Sequence, residues 1–208
     1  MTAIYHITHI RNLPAILRDG YLWCDNECRA RRPDAVGIAH AHIKQRRANR
    51  PVPLGRGGTL ADYVPFYFAP RSPMLYAVHK GNVKDYNEGQ EPILHLVAEA
   101  EEVAARNLPF VFTNGHAEML TCTFYEQLAD LDKVDWGIMK ATFWNDSASD
   151  GARKWRRQAE FLAHQSFPVS LVKGIGVISK TQAVAVQRIL AKLKIQIPVA
   201  ARPLWYYQ

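Results

Sequence analysis

The 208-residue sequence predicts a single α+β domain. Short β-branched and aromatic runs alternate with helical patterns, but without the regular strand–helix–strand period of a parallel sheet. No GxGxxG turn joins a strand to a helix, which argues against a doubly wound nucleotide-binding fold. No repeat, linker or low-complexity tract divides the chain, so residues 1–208 are expected to form one domain.

The first predicted unit is a strand followed by a short helix. Residues 4–8 (IYHIT) alternate and are rich in β-branched side chains, and Asn12 can cap a helix that ends at Gly20. The segment 25–59 is polar, basic and interrupted by proline and glycine, so most of it is expected to be loop; only 38–48 has helical spacing. A loop of this length is usually functional.

The rest of the chain predicts a mixture of strands and helices. Aromatic and β-branched runs indicate the strands, and glycine stops indicate helix ends. The polar stretch 145–158 is expected to be a loop that leads into a regular element near Arg153. In chain order, the other expected elements are a strand at 64–69, a helix at 71–81, strands at 93–100 and 110–113, helices at 117–129 and 132–143, an apolar element at 159–167, a short central strand at 174–179, an amphipathic helix at 181–194 and a strand or packed coil in the tail PLWYYQ.

Positive charge is unevenly distributed along the chain. The net charge is +7, from 26 Lys and Arg against 19 Asp and Glu. Residues 29–56 contribute +7, residues 161–208 contribute +6, and residues 99–135 contribute −6. Concentrated positive potential suits a polyanion such as nucleic acid. A solvated basic surface would have the same composition, so charge alone leaves both interpretations open.

The composition also excludes several classes of protein. A chain with 48% hydrophobic and 22% charged residues is neither disordered, collagenous nor a coiled coil. Its three cysteines are too few and odd in number for a disulfide framework. No apolar run reaches the roughly 18–20 residues that span a bilayer, and the N-terminus lacks the layout of a signal peptide. We therefore expect a cytoplasmic protein without a membrane segment, acting as a monomer.

Two local patterns have both a structural and a functional interpretation. Cys24 and Cys28 precede His40 and His42, which are residue types that bind zinc. Their C-x3-C…H-x-H spacing is not a usual zinc pattern, so free thiols with surface histidines are favoured and no metal is expected. The glycine-rich GRGGT at 55–59 can either cradle a phosphate or simply permit a tight bend.

Three polar side chains stand in apolar surroundings. His6 and Thr8 lie on the same face of the first strand, because side chains alternate along a strand, and a ligand can supply the partners that they need. Glu160 is the last acidic residue of the chain, follows four cations and directly precedes an apolar pair. It is either part of a local ion pair or a catalytic carboxylate that those cations keep ionised.

Several segments, taken together, resemble one known family. In order between about Ile4 and Tyr207 they are YHITHIRNLPAIL, IAHAHIKQRRA, GGTLADYVPFYFAPRSPMLYAVHKGN, PFVFTNGHA and RKWRRQAEFL. They are similar to the DarT family, the DNA ADP-ribosyltransferase toxins of bacterial toxin–antitoxin systems. The resemblance implies an ADP-ribosyltransferase fold, in which a split β-sheet with flanking helices forms an NAD⁺-binding cleft.

The resemblance also implies an activity and partners. The reaction would transfer ADP-ribose from the co-substrate NAD⁺ to a nucleobase, thymidine above all, in single-stranded DNA, with release of nicotinamide. A macrodomain antitoxin would reverse the modification. Two alternatives stay open: an enzyme of the same fold that acts on protein or RNA, and a basic nucleic-acid-binding module without catalysis.

The resemblance further implies roles for individual residues. Glu160 corresponds to the transferase glutamate and Arg47 to the second catalytic residue, with Arg46 as the choice if the register differs by one. The expected NAD⁺-binding residues are His6, Thr8, Asn12, Tyr67, Arg71, Met74, Tyr76 and His116. Cations and an aromatic residue able to follow a DNA strand are expected at Lys44, Arg46, Arg50, Arg153, Lys154, Trp155, Arg156 and Arg157.

Overall fold

Ten strands and eight helices make up the computed structural model, which describes all residues from Met1 to Gln208. The strands are β1 (Ala3–His9), β2 (Tyr21–Trp23), β3 (Tyr63–Tyr67), β4 (Ile93–Glu99), β5 (Phe110–His116), β6 (Phe124–Tyr125), β7 (Ala159–His164), β8 (Ser166–Pro168), β9 (Gly174–Val177) and β10 (Val199–Ala201). The helices are α1 (Leu13–Asp19), α2 (Asp25–Arg31), α3 (Ala41–Asn49), α4 (Pro73–His79), α5 (Ala100–Ala105), α6 (Trp136–Lys140), α7 (Arg153–Arg156) and α8 (Lys180–Lys192).

Eight of the strands form one sheet in the order β10-β9-β4-β1-β3-β7-β5-β6. All neighbours are antiparallel except β9 and β10, which run parallel. The remaining strands, β2 and β8, pair with each other in a small second sheet. No helix combines the length and the apolar character needed to cross a membrane.

The large sheet opens between its two central strands, β1 and β3. β1 is paired with β4 along its whole length, but its register with β3 consists of the single pair Tyr5↔Tyr67. Beyond this pair, the His6 side chain rather than the main chain reaches β3, with Nδ1 2.8 Å from Pro65 O. Because the nitrogen and carbonyl of a strand residue point to the same side, Pro65 also removes the donor that would continue the ladder to β1. The sheet is therefore split, which confirms the predicted fold class.

Aromatic packing anchors β7 in the core. The ring of Phe161 stacks on Phe110 with centroids 4.9 Å apart and meets Phe66 edge-on at 6.5 Å. Phe66 in turn packs 4.6 Å from Phe167 of β8. Since aromatic side chains bury large areas and prefer such offset or edge-on geometries, the strand that carries Glu160 has a fixed position and register.

The C-terminal tail is tied to the centre of the molecule by its two tyrosines. The Tyr206 hydroxyl donates to Ile93 O at 2.7 Å. The Tyr207 hydroxyl lies 2.9 Å from Arg71 O and 3.1 Å from Ser72 O, at the start of α4. The tail therefore holds the start of α4 in place. The sequence predicted a strand or packed coil here but not this contact.

Most predicted elements are present, and the errors have physical causes. The predicted helix at 117–129 is wrong: this segment turns into β6 and a 3₁₀ turn, because Phe124 and Tyr125 pair with β5. The predicted loop at 25–59 contains the additional helix α2. The strand predicted at 174–179 is not central, since β9 is the second strand from the edge of the sheet.

The glycine-rich segment at 55–59 forms a tight bend, one of the two interpretations that the sequence allowed. The N–H of Gly55 donates to the Glu126 carboxylate at 2.9 Å, so an anion from the protein itself occupies that donor. Gly58 has a φ of 75°, and an added Cβ there would press against the Asp62 carboxylate. The backbone conformation and the close approach both require glycine.

The packing of Trp205 over Gly176 gives a test of the fold. An alanine Cβ at Gly176 would overlap the Trp205 ring, so we expect Gly176→Ala to lower the free energy of unfolding by about 1–3 kcal/mol. Gly151→Ala is the matched control, because no atom lies within 4 Å of its added Cβ. Thermal melting of both variants measures the difference, and equal melting temperatures would contradict the predicted overlap.

Candidate active site

A cleft of about 500 Å³ opens where β1 and β3 diverge. Its walls come from α3, α4, the segment 35–40 and the start of β7, which are distant from one another in sequence. The predicted site residues that line this cleft are His6, Thr8, Asn12, Lys44, Arg47, Tyr67, Met74, Tyr76, His116, Lys154 and Glu160.

An ion pair between Arg47 of α3 and Glu160 of β7 lies in the cleft. Arg47 Nη1 is 2.9 Å from Oε2 and 3.1 Å from Oε1 of Glu160. The exposed fractions are only 9% for Arg47 and 5% for Glu160. Burial by itself lowers the pKa of Arg47, but the charge and hydrogen bond of Glu160 outweigh it and hold the pKa above its usual value. The geometry selects Arg47 over Arg46 as the partner of Glu160.

Glu160 is fixed from both neighbouring strands. Its N–H donates to Thr113 Oγ1 at 2.9 Å, and the same hydroxyl donates to Gly115 O at 2.8 Å. On the other side, Glu160 is in register with Tyr67 of β3. Burial raises the pKa of Tyr67 well above its usual range, and the charge of Glu160 adds to the effect. The phenol therefore stays neutral and can donate a hydrogen bond into the cleft.

The other side of the opening carries His6 and Thr8, as the sequence predicted. Burial lowers the pKa of His6, so the ring is neutral. Because a carbonyl only accepts, Nδ1 must carry the proton that is donated to Pro65 O, and Nε2 remains an acceptor. Thr8 Oγ1 accepts from Asn12 Nδ2 at 3.2 Å, which leaves its hydroxyl hydrogen free to donate.

Asn12 has a different task from the helix cap that the sequence predicted. Its side chain makes no capping bond with α1. Instead, Nδ2 donates to Val36 O at 3.0 Å and Oδ1 accepts from Val36 N at 2.8 Å. This two-point bond holds the segment 35–40 against the mouth of the cleft.

Helix α3 is fastened to the turn that follows β5. Arg46 forms an ion pair with Glu118, and the Arg50 guanidinium donates to Ala117 O at 3.3 Å and Met119 O at 3.1 Å. These contacts occupy two of the side chains expected to bind DNA. They also place His116, whose pKa is lowered by burial, beside the Arg47–Glu160 pair.

Aromatic side chains form the wall contributed by α4. The Tyr76 ring lies 5.0 Å from Tyr207 and 5.8 Å from Trp144, both in edge-on geometry. Trp144 lines the cleft and was missed by the sequence analysis. The available signal was the aromatic pair Phe143-Trp144 at the border of a polar stretch, where apolar residues are otherwise scarce.

Arg71 and Trp155 are among the expected site residues that do not line the cleft. Arg71 does not line the cleft, because its guanidinium sits over the Tyr207 ring at 4.6 Å from the centroid. Trp155 packs its ring against Gly115, where an added Cβ would overlap it. One face of this indole is thus covered by the protein itself.

The expectation that Arg157 contacts DNA phosphates is wrong. Its exposed fraction is 4%, and its guanidinium donates to main-chain carbonyls at the end of α6 and before α4, including Met139 O at 2.8 Å and Arg71 O at 3.0 Å. Burial lowers its pKa to about 10, so it remains a cation at neutral pH. Arg156 is likewise engaged, by Asp135 and Asp150.

Cys24, Cys28, His40 and His42 do not come together as a metal-binding group. Cys24, which directly precedes α2, and Cys28, in the middle of α2, are free thiols. Burial raises the pKa of both thiols. His40 and His42 pack their rings together at 5.0 Å. No group of three or more His, Cys, Asp or Glu side chains has an arrangement that could hold a metal ion.

Comparison with known proteins agrees with this geometry. A family model described as "ssDNA thymidine ADP-ribosyltransferase, DarT" matches residues 5–207. The chain belongs to the DarT family. A DNA ADP-ribosyl transferase of Thermus sp. (strain 2.9) is 45% identical over 212 residues, covering 99% of this chain and 96% of the relative. A DNA ADP-ribosyl transferase of Escherichia coli O127:H6 is 38% identical over 204 residues, covering 98% and 93% of the two chains.

Solved structures give the same result. Thermus sp. 2.9 DarT in complex with ADP-ribosylated ssDNA superimposes with a TM-score of 0.92 at 44% identity, covering 99% of this chain and 96% of that chain. The same protein in complex with NAD⁺ gives a TM-score of 0.89 at 41% identity, covering 99% and 98%. These matches confirm the prediction of a DNA ADP-ribosyltransferase over the two alternatives from the sequence.

The buried Arg157 of this DarT family member gives a prediction about stability. We expect Arg157→Met to lower the free energy of unfolding by about 1–3 kcal/mol, because buried carbonyls such as Met139 O lose their donor. Urea denaturation measures the change, with Arg188→Met on the exposed face of α8 as the control. Equal stability of the two variants would show that the hydrogen bonds of Arg157 contribute nothing.

Proposed function

We propose that Glu160 and Arg47 are the catalytic pair with which this enzyme transfers ADP-ribose from NAD⁺ to thymidine in single-stranded DNA. The observation that supports this most is their ion pair, buried in the cleft at 2.9 Å. Buried pairs are poor sources of stability, because desolvation offsets much of the attraction. A pair kept at such cost in a cleft is a candidate for function rather than structure.

Glu160 supplies the negative charge that the reaction needs. Breaking the bond between nicotinamide and ribose develops positive charge on the sugar. A carboxylate that accepts a hydrogen bond from a ribose hydroxyl stabilises this charge, as in glycoside hydrolysis. The bond from Glu160 N to Thr113 Oγ1 fixes the main chain of Glu160, and Arg47 holds its carboxylate before the substrate arrives, so little reorganisation is needed.

The remaining lining fits the two ends of NAD⁺. The Nε2 of His6 and the hydroxyl of Thr8 offer an acceptor and a donor for ribose or amide groups. Tyr67, Met74 and Tyr76 form an aromatic and thioether wall for a flat nicotinamide ring. Exclusion of water by this wall protects the reactive sugar from hydrolysis.

Arg47 acts on the acceptor base as a hydrogen-bond donor. A guanidinium stays protonated in proteins, so it cannot be the general base. Its Nη1 binds Glu160, whereas its Nη2 is buried and has no partner. A carbonyl oxygen of thymine can supply that partner. The cation then stabilises the negative charge that develops on the base as its ring N–H passes its proton to water, while the ring nitrogen bonds to ribose and nicotinamide leaves.

The acceptor strand reaches the cleft past cationic side chains. Lys44 and Lys154, which are far apart in the sequence, both line the cleft, and Arg153 directly precedes Lys154 in the chain. Such cations replace the counterions of the DNA phosphates and so hold the strand, whereas the reaction between base and sugar takes place inside the cleft. Since the thymine must leave its base stack to enter the cleft, an unpaired strand is the suitable substrate.

The wider setting belongs to the same proposal. Residues 1–208 form one domain that acts as a monomer in the cytoplasm, where DNA is available. A macrodomain antitoxin would remove the ADP-ribose, as the family resemblance implies. Incubation of the purified chain with NAD⁺ and a thymidine-containing oligonucleotide, followed by mass spectrometry, tests the reaction; RNA and protein acceptors are the controls, and labelling of either in place of DNA would overturn it.

For Glu160→Gln we expect NAD⁺ binding to be largely kept and transfer to fall at least about a hundredfold, because the amide lacks the stabilising charge. Labelling of the oligonucleotide and calorimetric titration with NAD⁺ measure the two effects. Glu88→Gln is the matched control, since Glu88 also pairs with an arginine, Arg11, but outside the cleft. Undiminished labelling by folded Glu160→Gln would exclude the assignment.

For Arg47→Lys we expect a loss of at least about tenfold in the transfer rate, since one ammonium cannot bind Glu160 and a base carbonyl with the geometry of the guanidinium fork. Single-turnover kinetics at saturating NAD⁺ and DNA measure the chemical step. Arg46→Lys serves as the control, because Arg46 pairs with Glu118 instead. A near-full rate for Arg47→Lys would show that positive charge alone is sufficient.

A further inference from the structure

Phe143 is a large apolar side chain held in solvent. Its exposed fraction is 81%, whereas its neighbour Trp144 is buried. The residues that follow this pair, Asn145 and Asp146, are exposed and polar, so Phe143 is a single exposed apolar side chain in this stretch of the chain. A single exposed apolar residue on a mobile loop would need no explanation.

The loop that carries Phe143 is, however, fixed by several hydrogen bonds. Arg153 Nη2 donates to Phe143 O at 2.8 Å, and Arg153 Nε donates to Asn145 O at 3.0 Å. The N–H of Lys154 donates to Asp146 Oδ1 at 2.8 Å. Arginine is well suited to hold two carbonyls at once, because its donors form a rigid planar fork.

A second clamp closes the far end of the same loop. Arg156 Nε donates to Asp135 Oδ2 at 2.8 Å, and its Nη1 donates to Asp150 Oδ1 at 3.2 Å. Asp135 also caps α6 by accepting from Ile138 N at 2.9 Å. The two arginines thus connect α6, the loop and α7, and the position of Phe143 is determined on both sides.

The loop lies at the edge of the cleft. Trp144, on one side of the hydrogen-bonded segment, lines the cleft, and so does Lys154 on the other. The chain continues from Lys154 through Gln158, which also lines the cleft, to Glu160. Phe143 therefore directly precedes, in the chain, a residue that lines the cleft, and its loop leads to the start of β7.

We propose that Phe143 stacks on a nucleobase of the acceptor strand that flanks the target thymidine. The proposal rests on the proposed function, in which single-stranded DNA is the acceptor. Sites for single strands combine cations that follow the backbone with aromatic rings on which bases stack. The cations are Arg153, which bonds to the Phe143 carbonyl, and the adjacent Lys154, and the Phe143 side chain is exposed. Trp155, the aromatic residue that the sequence favoured for this role, is instead packed against Gly115.

A steady-state comparison tests the contact. Phe143→Ala is expected to raise the KM for the oligonucleotide about 5- to 150-fold, the range of one lost stacking contact, with unchanged KM for NAD⁺ and unchanged kcat at saturating DNA. Phe143→Trp should restore the KM, because its ring also stacks. Leu204→Ala is the matched control, since Leu204 has an exposed fraction of 80% in the C-terminal tail. An unchanged KM for Phe143→Ala would overturn the proposal.

Abasic nucleotides identify the base that stacks. An abasic site is placed in turn at each position around the thymidine, and the KM of each oligonucleotide is measured with the wild-type enzyme and with Phe143→Ala. One position is expected to raise the KM in the wild type but not in the variant. If every abasic penalty is the same in both enzymes, Phe143 does not contact a base. If the wild type labels no DNA, the proposed function itself has failed.

Discussion

The ion pair of Arg47 and Glu160 is the constraint on which the site depends. Two buried charges lose much of their hydration, and each side chain offsets this cost for the other. The two residues come from α3 and β7, which are separated by more than half of the chain. The contacts of Arg46 and Arg50 with the turn after β5 keep α3 close enough for this pair to form.

The split of the sheet creates the space for that pair. Pro65 interrupts the ladder between β1 and β3, and the His6 side chain spans the gap. A continuous sheet would place side chains alternately on two faces and leave no opening at its centre. The divergence instead exposes His6, Thr8 and Tyr67 to one cleft.

Predictions from the sequence were most successful where a local pattern decides the structure. The strand at 4–8, the helix at 71–81 and the cleft positions of His6 and Glu160 follow from alternation, capping and recognisable motifs. They failed where a charged residue has more than one possible partner. Arg157 and Lys154 have similar sequence surroundings, but the first is buried under carbonyls and the second lines the cleft.

The sequence by itself determined the fold class and the family resemblance, and it singled out Glu160 while leaving Arg47 and Arg46 as alternatives. The tertiary structure decided that Arg47 pairs with Glu160. Only the tertiary structure decided which cations of the RKWRR stretch are available to a ligand and which are consumed internally. It likewise showed that the Trp155 ring packs against Gly115, whereas the Phe143 side chain is exposed to solvent. The physical reason is that burial and hydrogen-bond partners depend on contacts between distant segments, which local spacing does not contain.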